Sequence, residues 1–265
     1  IPIGGAENQK GHDAQPENPA GHQPFLGAGS LQPVPFAESL FRYRHVDGYH
    51  ISPPEGIEEE VNNLIEVGSP VVLFDRYLPD TNADYIVIDN EESTYCAIKH
   101  MIGNGYKNIG FITLDSLQTQ MQERLKGYEN AMNEHGLNQH VKEISFHQSE
   151  DNIIRHISSF LERKPELEAV LFGTNYLGVS GLKAIKQLND KNLEKLALVA
   201  FDDHDLFQLH SPSITAIEQP IEEISEKLIT ILLGRLNKTT KTKKPQYDIL
   251  STNLIIREST EKIKS

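Results

Sequence analysis

The chain has 265 residues, of which 38% are apolar and 24% charged, and its formal net charge is −13. That length and balance fit one large α/β domain or two ordinary lobes and exclude a disordered chain, while the acidic charge repels a phosphate backbone, so nucleic-acid contact would need a separate basic module. Cys96 is the single cysteine, which excludes an intrachain disulfide and a cysteine-based metal cluster, and no run approaches the roughly 20 apolar residues of a membrane span.

In residues 1–36, Gly and Pro supply a third of the positions and neither a strand nor a helix period is visible. Such a composition has little apolar surface to offset ordering entropy. Within it, Gly27-Ala28-Gly29-Ser30 follows no strand and so makes a poor phosphate loop. Order is expected from Val46, where Val46-Asp47-Gly48-Tyr49-His50-Ile51 reads as a strand ended by Pro53-Pro54. Ile57, Val61, Leu64 and Ile65 then recur at helical spacing, and Gly68 and Pro70 end that helix. Val71-Val72-Leu73-Phe74 and Tyr85-Ile86-Val87-Ile88 are short apolar runs of the kind buried on both faces of a parallel sheet.

The alternation continues with a helix over 91–103, on which Cys96 is expected to be a small core residue. A strand follows at 108–112, then helices over 120–135 and 152–163, a strand at 169–172 and a helix over 177–188. Strands at 196–201 and 214–217, a helix over 221–236 and one or two strands within 248–256 close the pattern. Strands alternating with helices of this length mean βαβ units and parallel sheets. The four lysines between Lys238 and Lys244 read as a solvated loop.

Open α/β sheets bind ligands at the carboxyl ends of their strands. The polar residues in those places are Asp75 and Arg76, Asp89 and Asn90, Thr174 and Asn175, Asp202 and Asp203, and Glu218 and Gln219, with Arg124 on the helix after the 108–112 strand. Carboxylates, amides and a guanidinium make multiple hydrogen bonds to hydroxyls or heteroatoms, which suits a sugar, polyol or nucleobase. Asp75 and Asp89 have the alternative of capping the next turn, Asp203 that of a structural role, and Arg124 that of a surface ion pair. No nucleophile elbow, Walker loop or zincin helix occurs. His12, His22, His45 and His50 are too irregularly spaced for a metal site.

Eight motifs in order carry a family resemblance over residues 46–260. They are Val46-Asp47-Gly48-Tyr49-His50-Ile51-Ser52, Pro70-Val71-Val72-Leu73-Phe74-Asp75-Arg76, Val87-Ile88-Asp89-Asn90, Gly105-Tyr106-Lys107-Asn108-Ile109-Gly110-Phe111, Arg124-Leu125-Lys126-Gly127-Tyr128, Val199-Ala200-Phe201-Asp202-Asp203, Ser211-Pro212-Ser213-Ile214-Thr215 leading into Gln219-Pro220, and Leu254-Ile255-Ile256-Arg257-Glu258-Ser259-Thr260. Together they resemble the effector-binding domain of LacI/GalR-type transcription regulators. The resemblance implies a periplasmic-binding-protein-like type I fold: α/β, with two Rossmann-like lobes of parallel sheet and a ligand cleft between them. It implies an N-terminal lobe of 46–88 and 220–240 and a C-terminal lobe of 89–219 and 241–265, and leaves 1–45 as an atypical segment.

As ligand contacts it implies Asp75, Arg124, Asp202 and Gln219, with Thr174 or Asn175 taking the family's asparagine position. It further implies a sugar-like effector, no cofactor, no metal, no catalysis, a homodimer and a cytoplasmic setting without membrane contact. No helix-turn-helix precedes the domain, so operator DNA would be reached only through a segment outside this chain. The family's first strand, helix and second strand find no match in 1–45, and one reading of that break is a segment out of frame with the rest. The competing function is a periplasmic sugar-binding protein of an importer, which would share the fold and work as a monomer.

Overall fold

The structure, a computed structural model, describes residues 46–237 and 244–261. The expectations for 1–45, the Gly27–Ser30 loop and three of the four lysines between 238 and 244 lie outside those residues.

Two sheets organise the chain. Strands β1 (Tyr49–Ile51), β2 (Val71–Phe74) and β3 (Asp84–Ile88) stand side by side in parallel register, with helix α1 (Glu58–Glu66) between the first two. Val72, Leu73 and Ile86 have no exposed surface, and each contributes roughly 2 kcal/mol of apolar burial. Ile57, Val61, Leu64, Leu73 and Leu78 form the core on the α1 face.

The larger sheet begins after helix α2 (Asn90–Gly103). Its strands are β4 (Ile109–Asp115), β5 (His140–Ser145), β6 (Ala169–Phe172), β7 (Ala197–Phe201) and β8 (Thr215–Glu218). Between them run α3 (Thr119–Glu134), α4 (Glu150–Arg163), α5 (Asn175–Leu188) and the short α6 (Asp205–Leu209). Helix α7 (Ile221–Leu236) follows β8, then β9 (Tyr247–Leu250) and β10 (Asn253–Ile255), and a 3-10 turn at Glu258–Thr260 comes last.

The strand order is β10-β8-β7-β6-β4-β5, parallel throughout except for the antiparallel β10–β8 pair. The order reverses around β4: β5 lies on one side of it and β6 on the other, which opens a crevice above the carboxyl ends of β4 and β6. Helices cover both faces, as the buried runs of β6 and β7 require.

The chain passes between the sheets three times, at Ile88–Asn90, Glu218–Ile221 and Leu250–Asn253. The third passage corrects the expected grouping of 241–265 with the C-terminal lobe. Tyr247–Leu250 pairs in parallel with β3 in the four-stranded sheet, and only from Asn253 onward does the chain join β8 in the six-stranded one. Sequence alone could not separate two short strands interrupted by two residues. On the side of the crossings one apolar cluster runs from Val72, Ile86 and Ile88 through Leu228 and Ile231 of α7 to Phe111, Leu171 and Val199.

Cys96 is also corrected: it is exposed, with its thiol directed at the Glu92 carboxylate. The buried stripe of α2 is Asn90, Ser93, Thr94, Ala97, Ile98 and Met101, and Cys96 falls off it.

Candidate functional site

Arg124 occupies the crevice. It lies on the second turn of α3, and helical side chains lean toward the helix N-terminus, which carries its guanidinium back over the strand ends. It is 2% exposed. Nη1 donates to the Gly173 carbonyl at the end of β6 at 2.7 Å, and Nε donates to Asn90 Oδ1 at 2.9 Å. The guanidinium carbon sits 3.4 Å from the centre of the Phe201 ring, a close cation–π contact. Burial lowers its pKa, and the nearby negative charges of Asp202, Asp75 and Glu123 act in the opposite direction. A guanidinium has five N–H donors, so two fixed bonds set its position and leave others for a ligand. The surface ion-pair alternative for Arg124 therefore does not describe it.

Asp202 follows β7 with φ at +66°, and Asp75 follows β2 with φ at +68°. Side chains other than glycine rarely adopt this left-handed backbone, at a cost of order 1 kcal/mol or more. In both cases it turns a carboxylate out of the end of a buried strand. Asp202 lies 3.8 Å from Arg124 Nη1 and accepts a hydrogen bond from the Gln219 side chain on the second crossing. Asp75 is held by Arg76, with Nη2 at 2.6 Å and Nε at 3.0 Å, and accepts from Ser52 at 3.4 Å. Asp75 thus makes an ion pair, whereas Asp89 accepts the Glu92 N–H at 3.1 Å and caps α2.

Thr174 and Asn175 stand in different settings. Thr174 is buried, and its hydroxyl accepts the Leu177 N–H at 3.3 Å at the N-terminus of α5. Asn175 instead lines a cavity of about 480 Å³ together with Asp202, His204, Gln219, Ile221 and Glu222, a volume in the range of small-molecule sites. A second hollow of about 370 Å³ shares Asn175 and His204 and continues to Tyr176, Val179 and Leu206.

Of the six expected residues, Arg124 and Gln219 both meet Asp202, Asn175 shares a cavity with Asp202 and Gln219, Thr174 supports the helix behind it, and Asp75 stands at the facing strand end. Asp203 has the structural role. Arg257 clasps it with two bonds of 2.8 and 2.6 Å, which hold its carboxyl below the usual range. The sequence reading missed Asn90 as a partner of Arg124, although it identified Asn90 as a strand-end residue. Among the described residues no group of His, Cys, Asp or Glu could hold a metal ion, and no helix is long and apolar enough to cross a membrane.

Two sheets joined by three crossings, with polar groups converging at strand ends beside the crossings, define a two-lobed ligand-binding domain. A family model described as a periplasmic binding protein-like domain matches residues 98–260. The chain belongs to this family and resembles, within it, the effector-binding domains of LacI-type regulators. The HTH-type transcriptional regulator CelR of Thermobifida fusca is 26% identical over 219 residues, covering 82% of this chain and 64% of the relative. The ribose operon repressor of Haemophilus influenzae is 28% identical over 202 residues, covering 76% and 60%. The chain thus spans less than two thirds of these relatives. The solved structure of a CelR–cellobiose complex superposes with a TM-score of 0.71 at 25% identity, covering 84% of this chain and 69% of that one. A LacI family regulator from Enterococcus faecium with bound ribose has a TM-score of 0.74 at 20% identity, covering 86% and 84%, a likeness of fold.

Proposed function

We propose that this chain is the effector-sensing part of a LacI-type transcription regulator, that it binds a small sugar-like molecule between the lobes, and that it catalyses nothing. The observation that carries the reading is the buried Arg124, fixed by Gly173 and Asn90 yet 3.8 Å from an Asp202 carboxylate that Gln219 steadies. A guanidinium and a carboxylate at that spacing offer donors and acceptors to neighbouring hydroxyls. Asn175 and Asp75 complete the contact set, and Thr174 holds the helix that presents Asn175. The relatives named above support the ligand class: one structure contains cellobiose and another ribose.

The mechanism is a population shift. The lobes rock about the three crossings, a ligand binds one arrangement better than the other, and only that difference in affinity moves the equilibrium. In the whole protein the shift would reposition helix-turn-helix heads on operator DNA across a homodimer in the cytoplasm. The acidic charge of this chain agrees with DNA contact residing in a different segment.

Thermal unfolding against a panel of sugars, sugar phosphates, polyols and nucleobases tests this. A ligand at 100 times its Kd adds about 2.7 kcal/mol, which raises the midpoint of a domain this size by roughly 5 °C. A rise with a sugar or polyol is the expected result. A rise with nucleobases alone would overturn the ligand class, and no rise across the panel would overturn the sensing function.

A further inference from the structure

Arg124 is the inner end of a hydrogen-bonded chain that leaves the cleft and ends on the opposite lobe. Asn90 is 1% exposed. Its Oδ1 accepts Arg124 Nε at 2.9 Å, and its amide nitrogen donates to the Ile88 carbonyl and to Glu123 Oε2, both at 3.2 Å. The other Glu123 oxygen accepts the Tyr77 hydroxyl at 3.1 Å. Arg124, Glu123 and Asn90 belong to helices of the six-stranded lobe, whereas Tyr77 follows β2 of the four-stranded lobe. The Tyr77 ring is fixed there by stacking on Tyr85 at 4.9 Å, which stacks on Tyr247 at 4.5 Å.

A second pair of contacts closes the same side. Glu55 accepts Ser116 Oγ at 3.0 Å and the Leu117 N–H at 3.2 Å, and the Thr119 hydroxyl bonds the Tyr77 backbone. Burial pushes the Tyr77 hydroxyl up to about 12, and it raises the pKa of Glu123 as well. Tyr77 and Glu123 are each partly buried, so the link is shielded from water only in part.

We infer that Glu123 is a positioning residue for Arg124, acting through Asn90, and that Tyr77 makes this positioning depend on the two lobes meeting. The inference rests on the proposed binding role of Arg124. When the lobes part, Glu123 loses the Tyr77 hydroxyl, Asn90 loses a fixed acceptor, and the guanidinium loses its orientation. Ligand affinity and lobe closure are then linked by named groups on the side remote from the cavity.

The Arg124 Nε–H resonance of the ligand-free chain reads the link directly. It is assigned by its disappearance in Arg124→Lys, and its exchange with solvent is followed in Tyr77→Phe, which deletes one hydroxyl, and in Glu123→Gln, which keeps the shape. One hydrogen bond withdrawn from the chain should speed exchange roughly tenfold and move the resonance in both variants, while amides of β6 and β7 keep their protection. Calorimetric titration with cellobiose and with D-ribose supplies the second arm. Each variant should weaken whichever sugar binds by roughly tenfold, and the double variant should be no weaker than either single one. An unmoved Nε–H resonance in both variants, or losses that add in the double variant, would overturn the inference. If neither sugar binds the parent chain, that failure belongs to the ligand assignment, and the Nε–H measurement still decides the link.

Discussion

At the scale of single residues, environment sets what each charged group can do. Asp202 and Asp203 are neighbours in sequence, yet the first accepts from Gln219 beside Arg124 and the second is clasped by Arg257. Because the Asp203 pKa is depressed in the folded chain, the pair stabilises fully above the ordinary carboxylate value of about 3.9. That stability is lost as pH falls through the lower folded value. Asp203→Asn should cost about 2 kcal/mol at pH 7, and urea unfolding should show the gap to the parent narrowing as pH falls below the ordinary carboxylate value. A gap independent of pH would contradict the pairing. Cys96 gives a second case: partial desolvation of its sulfur, in a residue that is otherwise exposed, and the Glu92 carboxylate push the thiol up to about 11. At pH 8 it should alkylate about two orders of magnitude more slowly than a free cysteine of pKa near 8.5, because the thiolate reacts. Iodoacetamide kinetics followed by mass spectrometry would check this. These fates were only partly legible in sequence. Strand-end position pointed to Asp202 and Gln219, and the family resemblance to Arg124, whereas the Asn90–Arg124 bond joins residues 34 apart and needs the packed helices to exist.

At the scale of elements, the apolar runs in β2, β3, β6 and β7 announced themselves because both faces of each are covered. Two elements gave no such signal. β5 reads His-Val-Lys-Glu-Ile-Ser and buries only Ile144, as an edge strand with one covered side can. α6 has five residues, too few to show a period. The different settings of Thr174 and Asn175 were likewise not visible in sequence, because the bond from the Leu177 N–H to Thr174 needs the folded helix end. Packing of α2 on α3 turns on Gly127, where a Cβ would lie 2.2 Å from the Glu91 carbonyl oxygen and 3.0 Å from the Thr94 side chain. Backbone cannot yield as a flexible side chain can, so Gly127→Ala should separate the helices and cost about 3 kcal/mol, measured as a fall in the urea midpoint. An unchanged midpoint would mean that the helices can slide apart freely.

At the scale of the whole molecule, the continuous apolar cluster beside the crossings and the polar closure at Glu55 and Tyr77 divide the labour. The first keeps the lobes together as one body, and the second can open at the cost of a few exchangeable hydrogen bonds. Arg124 stands between them, anchored to the six-stranded lobe and feeling charge from Asp75 on the other. The account therefore stands on the cleft. The measurement that reaches it most directly is calorimetric titration of the most stabilising sugar into the parent chain, Asp202→Asn and Arg124→Ala, with folding of each confirmed by its unfolding transition. The account predicts one site per chain, a loss of at least roughly tenfold in affinity for Asp202→Asn and a larger loss for Arg124→Ala. Parent-like affinity in both folded variants would place the ligand elsewhere and contradict it.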